Sequence, residues 1–341
     1  MTIDLERLAE WVDDSGLPRG QITDVKLLGG GSQNVVLRLT RADQSYVLRH
    51  PPEHKRANSD ETMRREARVL TALANSDVPH AHIVAACGDI DVLGSAFYLM
   101  ELVDGANPTV ELPSPYIADK RWRRELAFAM ADGAAAIGAV DYVSLGLSNL
   151  GKADGFLERQ VARWRSQLDS YADLVGYAGP EIPAVDQVGR WLDANRPRSW
   201  QPGLIHGDYH LANVLCRRDR PGLAAIIDWE LTTIGDSLLD LGWLLATWPG
   251  PDGPGPGTVG AQPWDGFATA EELVIRYGER SDRDLSAIPW YLVLACYKLG
   301  IILEGTYARA CAGQASPEVG DRLHAKTLSL FERACAAIAS A

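Results

Sequence analysis

The chain has 341 residues, 33 Lys and Arg against 45 Asp and Glu for a formal net charge of −12, with 46% hydrophobic and 23% charged residues. That length accommodates one large or two ordinary domains with real cores, and the acidic balance argues against nucleic-acid or anionic-membrane partners, which select basic surfaces. The five cysteines (Cys87, Cys216, Cys296, Cys311 and Cys335) form no CxxC pair, which argues against a disulfide framework or structural zinc; no stretch approaches the ~20 apolar residues of a membrane span, and the start Met1–Arg7 is acidic where a leader would be basic, so a cytoplasmic protein is expected.

In chain order, Leu5, Leu8, Trp11 and Val12 share one face of a helix predicted over 3–14, which Gly16 ends. Three β-rich runs follow at 22–28, 34–40 and 45–49, separated by Gly29-Gly30-Gly31-Ser32 and by Arg41-Ala42-Asp43-Gln44, and they read as an antiparallel meander. Pro51-Pro52 stops the third run, and a helix is expected from Ser59 to about Asn75, with strands at 83–87 and 96–102. From Asp119 the pattern becomes helical, with helices expected over 119–140, 153–172, 183–194, 237–247, 269–277, 288–311 and 317–339. Short β-like pieces at 203–206, 214–216 and 224–227 interrupt it, and the Pro- and Gly-rich stretch from Pro249 to Gly257 is expected to be an irregular loop.

These patterns predict an α+β chain in two lobes. Residues 1–103 would form a five-stranded antiparallel sheet with one main helix, 104–117 a connector marked by Gly105, Pro108, Pro113 and Pro115, and 118–341 a larger helical lobe.

The most informative stretch is His206-Gly207-Asp208-Tyr209-His210-Leu211-Ala212-Asn213, followed by Ile227-Asp228-Trp229-Glu230. Asp208 follows a β-like run and a glycine, where a carboxylate can accept a hydrogen bond from a substrate hydroxyl and align it for attack. Asn213 offers a neutral oxygen and Asp228 a charged one, a sufficient protein contribution for Mg²⁺ when ATP phosphates supply the rest. Asp236 and Asp240, four residues apart near a helix start, suit capping or buried hydrogen bonding that ties this segment to the helical lobe.

These motifs resemble the aminoglycoside phosphotransferase and choline kinase-like branch of the protein-kinase fold. Tyr46-Val47-Leu48-Arg49, Arg65-Glu66 and Gly235-Asp236-Ser237-Leu238-Leu239-Asp240-Leu241-Gly242 are most similar to the kinase-type domains related to those fused to acyl-CoA dehydrogenases. The resemblance implies that Asp208 is the catalytic base and that Asn213 and Asp228 hold the metal. It implies an ATP site in which Gly30, Gly31, Ser32 and Gln33 cover the phosphates and Arg49, standing where the fold normally has lysine, grips them with Glu66 as its partner. The backbone of Glu101 and Val103 would then bind adenine, with Met100 at the back wall. Asn34 stands where a protein kinase has its last loop glycine, and Trp229-Glu230 replaces Phe-Gly, which favours a permanently assembled site over a switchable one. His206 is expected to orient the catalytic loop.

The acceptor would be a small molecule with a hydroxyl, bound by the helical lobe between 142–168 and the segment carrying Trp290, Tyr297, Lys298 and Glu304. The mixture of aromatic, aliphatic, basic and acidic residues there suits a substrate with apolar and anionic parts. A hydroxyacyl compound, as the resemblance implies, stands first, and an aminoglycoside or amino-alcohol second. A nucleotide-binding pseudokinase module is the alternative from a different class, motivated by Arg49 and the incomplete glycine loop.

Overall fold

A computed structural model describes residues 3–30 and 34–341. Helix α1 (Leu5–Asp14) starts at Asp4, whose side chain accepts the Arg7 N–H. Strands β1 (Ile22–Gly30), β2 (Val35–Arg41) and β3 (Gln44–His50) form the meander, and α2 (Ser59–Ala72) follows, closed by a 3₁₀ turn at Leu73–Asn75. Strand β4 (Ile83–Cys87), the short helix α3 (Ile90–Leu93) and β5 (Phe97–Glu101) complete an antiparallel sheet in the order β1-β2-β3-β5-β4.

Alternation along the strands decides what each face of this sheet does. Tyr46, Leu48, Phe97 and Leu99 point to the side covered by Leu8 and Val12 of α1, where they make a small closed core. Arg49 lies on the opposite side, paired across the ladder with Tyr98 and facing α2. The buried face of α2 (Met63, Val69 and Leu70), together with Tyr98, joins the larger core that continues into the helical half. The sheet's main helix therefore packs on both halves of the molecule.

Helix α4 (Ser114–Ala118) occupies the end of the stretch expected to be a plain connector, 104–117, and runs one residue past it. Pro115 fits its first turn, where no N–H bond is lost. Five residues are too few to display a period, and the helix exists because Tyr116 is buried and its hydroxyl donates to the Arg220 carbonyl at 3.2 Å. Helix α5 (Lys120–Gly138) follows; the helix expected over 153–172 is realised as α6 (Gln160–Asp169), tightened into 3₁₀ turns at both ends, and α7 is Val185–Ala194.

Strand β6 (Pro202–Ile205) leads into the motif, β7 (Val214–Cys216) and β8 (Leu223–Ile226) form a hairpin, and β9 (Thr233–Asp236) pairs antiparallel with β6. Strand β9 was not expected. Its four residues carry no readable alternation, and it forms because the buried backbone of β6 needs a hydrogen-bonding partner. Helices α8 (Leu238–Thr247), α9 (Ala270–Gly278), α10 (Ile288–Cys311) and α11 (Pro317–Ala339) end the chain.

Against the expectation that no stretch approaches a membrane span, the 24-residue helix α10 is long and apolar enough by length and composition to cross a bilayer. It is mostly buried, packed against α6, α7, α8 and α11. A helix surrounded by others is apolar on all sides for that reason alone.

Candidate active site

The site is assembled on the turn that follows β6. Gly207 has φ +92°, and a Cβ placed there would lie 2.7 Å from the Leu231 carbonyl oxygen, so only glycine fits this turn. The turn is held from behind by Asp240 of α8, whose carboxylate accepts the N–H groups of His206 and Gly207 at 2.7 and 2.9 Å. The His206 ring is fully buried and bridges two strands of chain. The Asp208 N–H donates to its Nδ1 at 3.3 Å, and its Nε2 lies 3.0 Å from the Ile227 carbonyl. With Nδ1 accepting, the proton sits on Nε2 and the ring is neutral. Burial, which outweighs the nearby Asp208 charge, pushes its pKa down to about 4.

Asp208 emerges from this turn with both carboxylate oxygens engaged. Its Oδ1 accepts from the Trp243 indole N–H at 2.9 Å and lies 3.2 Å from His210 Nε2. Its Oδ2 accepts from Asn213 Nδ2 at 2.9 Å. Burial alone would raise the Asp208 pKa, but the His210 hydrogen bond and the Lys298 charge hold it well below the usual carboxylate range. A carboxylate this weakly basic is suited to orienting a hydroxyl more than to removing its proton early, which is what a loose phosphoryl-transfer transition state requires.

Asn213 and Asp228 are brought together by the β7–β8 hairpin. Val214 pairs with Ile226, and the Ile227 N–H donates to the Asn213 carbonyl at 2.9 Å, which places Asp228 one residue beyond. Both donors available on Asn213 Nδ2 point at Asp208, to its backbone and side-chain oxygens, which leaves Oδ1 as a free acceptor. Asp228 takes the left-handed conformation at φ +68°, a position Asp tolerates better than most residues. A neutral amide oxygen and a carboxylate on adjacent strand ends are the donor set Mg²⁺ takes beside phosphate oxygens. Among the described residues no group of three or more His, Cys, Asp or Glu is arranged to hold a metal by itself.

Arg49 reaches the same place from β3. Its Nε lies 3.0 Å from Glu66 Oε2 of α2, and its Nη2 donates to Asp228 Oδ1 at 2.6 Å. Burial would lower the Arg49 pKa, but Glu66 and Asp228 raise it above its ordinary value, so the guanidinium stays charged. Burial pushes the Glu66 carboxyl up against the pull of Arg49, and Glu66 Oε1 also accepts the Trp229 N–H at 3.1 Å. Glu230 accepts from Asn34 Nδ2 at 3.0 Å, which ties the start of β2 to the segment after Asp228.

Glycine 30 ends β1, paired with Val35; Gly31, Ser32 and Gln33 lie outside the described residues. Met100 and Glu101 close β5, half-buried, and the Glu101 N–H donates to the His82 carbonyl at 3.0 Å; Val103 lies two residues beyond. Neither His210 nor Trp243 is marked by the sequence motifs as a neighbour of the Asp208 carboxylate. Both contact the Asp208 carboxylate, and the Trp243 contact carries no sequence signal, because it depends on how α8 crosses the turn.

A cavity of about 540 Å³, lined by Gly207, which precedes Asp208, and by Trp243, which bonds to it, opens between α6, α8 and α10. Phe156, Trp164, Leu231 and Trp243 give it apolar walls, and Arg163 and Lys298 bring positive charge.

The phosphotransferase enzyme family profile matches residues 24–273. The chain belongs to this family. The structure is similar to that of a Ralstonia eutropha JMP134 protein classed with the aminoglycoside phosphotransferases, at 28% identity and a TM-score of 0.81, covering 98% of this chain and 99% of that one. The GDP complex of aminoglycoside 2'-phosphotransferase-IIIa shares the kinase-like fold, with 14% identity, a TM-score of 0.65 and coverage of 98% and 99%. Acyl-CoA dehydrogenase family member 10 of Mus musculus is 29% identical over 312 residues, which is 89% of this chain but 28% of that much longer protein. This phosphotransferase thus has the kinase-like fold expected from its motifs, and its chain spans under a third of that relative's length.

Proposed function

We propose that this phosphotransferase moves the γ-phosphoryl group of ATP, with Mg²⁺, to a hydroxyl of a small molecule held in the cavity beside Asp208. The observation that carries the reading is the convergence of Asp208, Asn213 and Asp228, joined through the 2.9 Å contacts of Asn213 to Asp208 and of Ile227 to Asn213. Asp208 would orient the acceptor hydroxyl, Asn213 Oδ1 and Asp228 would hold Mg²⁺, and Arg49, kept in place by Glu66, would bind phosphate oxygens as a bidentate cation. The metal would supply charge neutralisation on the transferred phosphoryl group. The Glu101 and Val103 backbone would hold the adenine against Met100, with Gly30, Gly31, Ser32 and Gln33 over the phosphates. The guanine nucleotide bound by the 2'-phosphotransferase of the same fold is in keeping with a nucleotide in this cleft.

A hydroxyacyl compound is the acceptor class we favour. The cavity walls are apolar and cationic, and its acidic members are already occupied: Asp240 by two backbone N–H groups and Glu230 by Asn34. A polyamine sugar would meet no free carboxylate cluster there. The test is ATP consumption against a panel of hydroxy acids, their coenzyme A thioesters, amino alcohols and aminoglycosides. Asp208→Asn should abolish transfer while ATP still binds, and Asp228→Ala should abolish Mg²⁺-dependent ATP binding in titration calorimetry. The opposite pattern would reverse the two roles. A non-catalytic ATP-binding module is favoured by one observation, the Arg49–Asp228 ion pair at a position where lysine is usual. Metal-dependent ATP binding with no turnover on any acceptor would establish it.

A further inference from the structure

Lys298, whose charge helps keep Asp208 ionised, has hydrogen-bonding capacity that the phosphotransfer machinery does not use. It lies on α10 with its Nζ 4.4 Å from the Trp243 ring centroid and 5.5 Å from that of Trp164. It donates to the Gly207 carbonyl at 3.2 Å, and among the described residues no carboxylate pairs with it within 4.0 Å. An ammonium carries three donors, so this bond leaves capacity at the cavity wall. Trp164, next to it, has an indole N–H that is buried with no hydrogen-bond partner. The Arg163 guanidinium stands 5.3 Å from the same ring. The acids beside it direct their oxygens elsewhere: Asp208 to Trp243, His210 and Asn213, with capacity left for the reacting hydroxyl, and Asp240 to the backbone of the turn. A pocket whose buried donors lack acceptors is incomplete until a second electron-rich oxygen enters it.

We infer that Lys298 and the Trp164 indole N–H are the anchor for an acyl oxygen of the acceptor, a carboxylate or a thioester carbonyl, and thereby determine which hydroxyl reaches Asp208. This rests on the phosphotransfer reading above and deepens it. The acyl chain lies against Trp164, Trp243 and Phe156. Because Lys298 grips the carbonyl of Gly207, the residue before Asp208, anchor and acceptor hydroxyl are held a few bonds apart. The site therefore selects among hydroxy acids by the position of the hydroxyl. Polycations are rejected by the charges of Lys298 and Arg163.

The charge on Lys298 is itself conditional. Burial pushes its pKa down to about 8, with Arg163 adding to the fall and Asp208 and Asp240 opposing it; Arg65 and Glu230 are the other charged groups on the cavity wall. Carboxylate binding should then weaken about tenfold per pH unit above that value, since the neutral amine attracts no anion. Thioester binding should weaken less.

The experiment measures kcat/KM of the full chain for medium-chain hydroxy acids with the hydroxyl at successive carbons, for their coenzyme A thioesters, and for matched diols lacking the acyl oxygen. Lys298→Met should reduce the acid-over-diol preference roughly thirtyfold through KM, and Lys298→Arg should recover part of it. Trp164→Phe, which keeps the ring and removes the N–H, should cost roughly tenfold in the same ratio. Whether acid or thioester suffers the larger loss identifies the acyl form. In parallel, quenching of tryptophan fluorescence by octanoate or octanoyl-coenzyme A, neither of which can be phosphorylated on the chain, reads binding without turnover and should vanish in Lys298→Met. An unchanged acid-over-diol ratio in both the Met and Phe variants, or unchanged octanoate quenching, would overturn the anchor while leaving phosphotransfer standing. Octanoate quenching that depends on Lys298, with no transfer to any hydroxyl compound, would defeat the phosphotransfer reading and leave the anchor intact.

Discussion

The carboxylate of Asp240 accepts the backbone N–H groups of His206 and Gly207 at 2.7 and 2.9 Å, so a residue of α8 fixes the turn that presents Asp208. Asp240→Asn can offer an oxygen to one N–H but turns its own N–H₂ toward the other. The variant should lose about 10- to 100-fold in transfer rate with ATP affinity nearly unchanged, because the misplacement falls on the acceptor side. Unfolding should be easier by about 1–3 kcal/mol, readable in denaturant titration.

His206 should make stability pH-dependent in a defined window. Its pKa is about 4 in the folded chain, from burial, against an ordinary value of 6.5. Below pH 6.5 the unfolded chain takes up a proton that the folded chain refuses, so stability falls from pH 6.5 down to about 4 and then levels off. The loss from this group is on the order of 3 kcal/mol. His206→Gln should be less stable at pH 7 but show a shallower decline between those limits, measured by urea unfolding at stepped pH.

Arg49 neutralises Glu66 inside the protein, and the two are 10% and 1% exposed at their side chains. Arg49→Met strands the Glu66 charge and should destabilise by about 3–5 kcal/mol at pH 8. The penalty should shrink at pH 5, where protonating Glu66 removes the buried charge, because burial raises its pKa. Arg49→Lys keeps the charge but loses the fork, and ATP affinity should fall roughly tenfold in calorimetry with folding retained.

Helices α8 and α10 touch at Gly242, where a Cβ would sit 2.7 Å from the Tyr291 backbone. Gly242→Ala must push apart the two helices that carry Trp243 and Lys298. A loss of about 1–3 kcal/mol is expected, together with a rise in acceptor KM larger than any change in ATP affinity. Equal effects on both ligands would place the disturbance elsewhere.

The reading of the sequence was strongest where chemistry and local backbone coincide. Asp208, Asn213 and Asp228 stand out by their spacing around short apolar runs, whereas the positive φ of Gly207 is seen only in the structure. The long elements were legible for the same reason: α2, α5 and α11 repeat apolar residues over several turns, and β1, β2 and β3 alternate between turn signals. Where the period was short or absent, as in α4 and β9, nothing local revealed the element. The apolar composition of α10 answers to the neighbours that surround it, which the sequence does not show.

The cavity was only partly visible. Lys298 and the stretch 142–168 that holds Arg163 and Trp164 are both singled out by the sequence, but their convergence on one cavity is not, because α6 and α10 are separated by more than a hundred residues. What the amino-acid order decided by itself is that Asp208, Asn213 and Asp228 come together, since the turn after β6 and a two-strand hairpin are built from contiguous chain. Only the tertiary structure decided which oxygen of Asp208 meets which donor, that Arg49 spans Glu66 and Asp228, and that Lys298 faces the cavity between two indoles. Those relations depend on the angles at which helices pack on the sheet and on one another, and such angles are a property of the whole core, not of any segment.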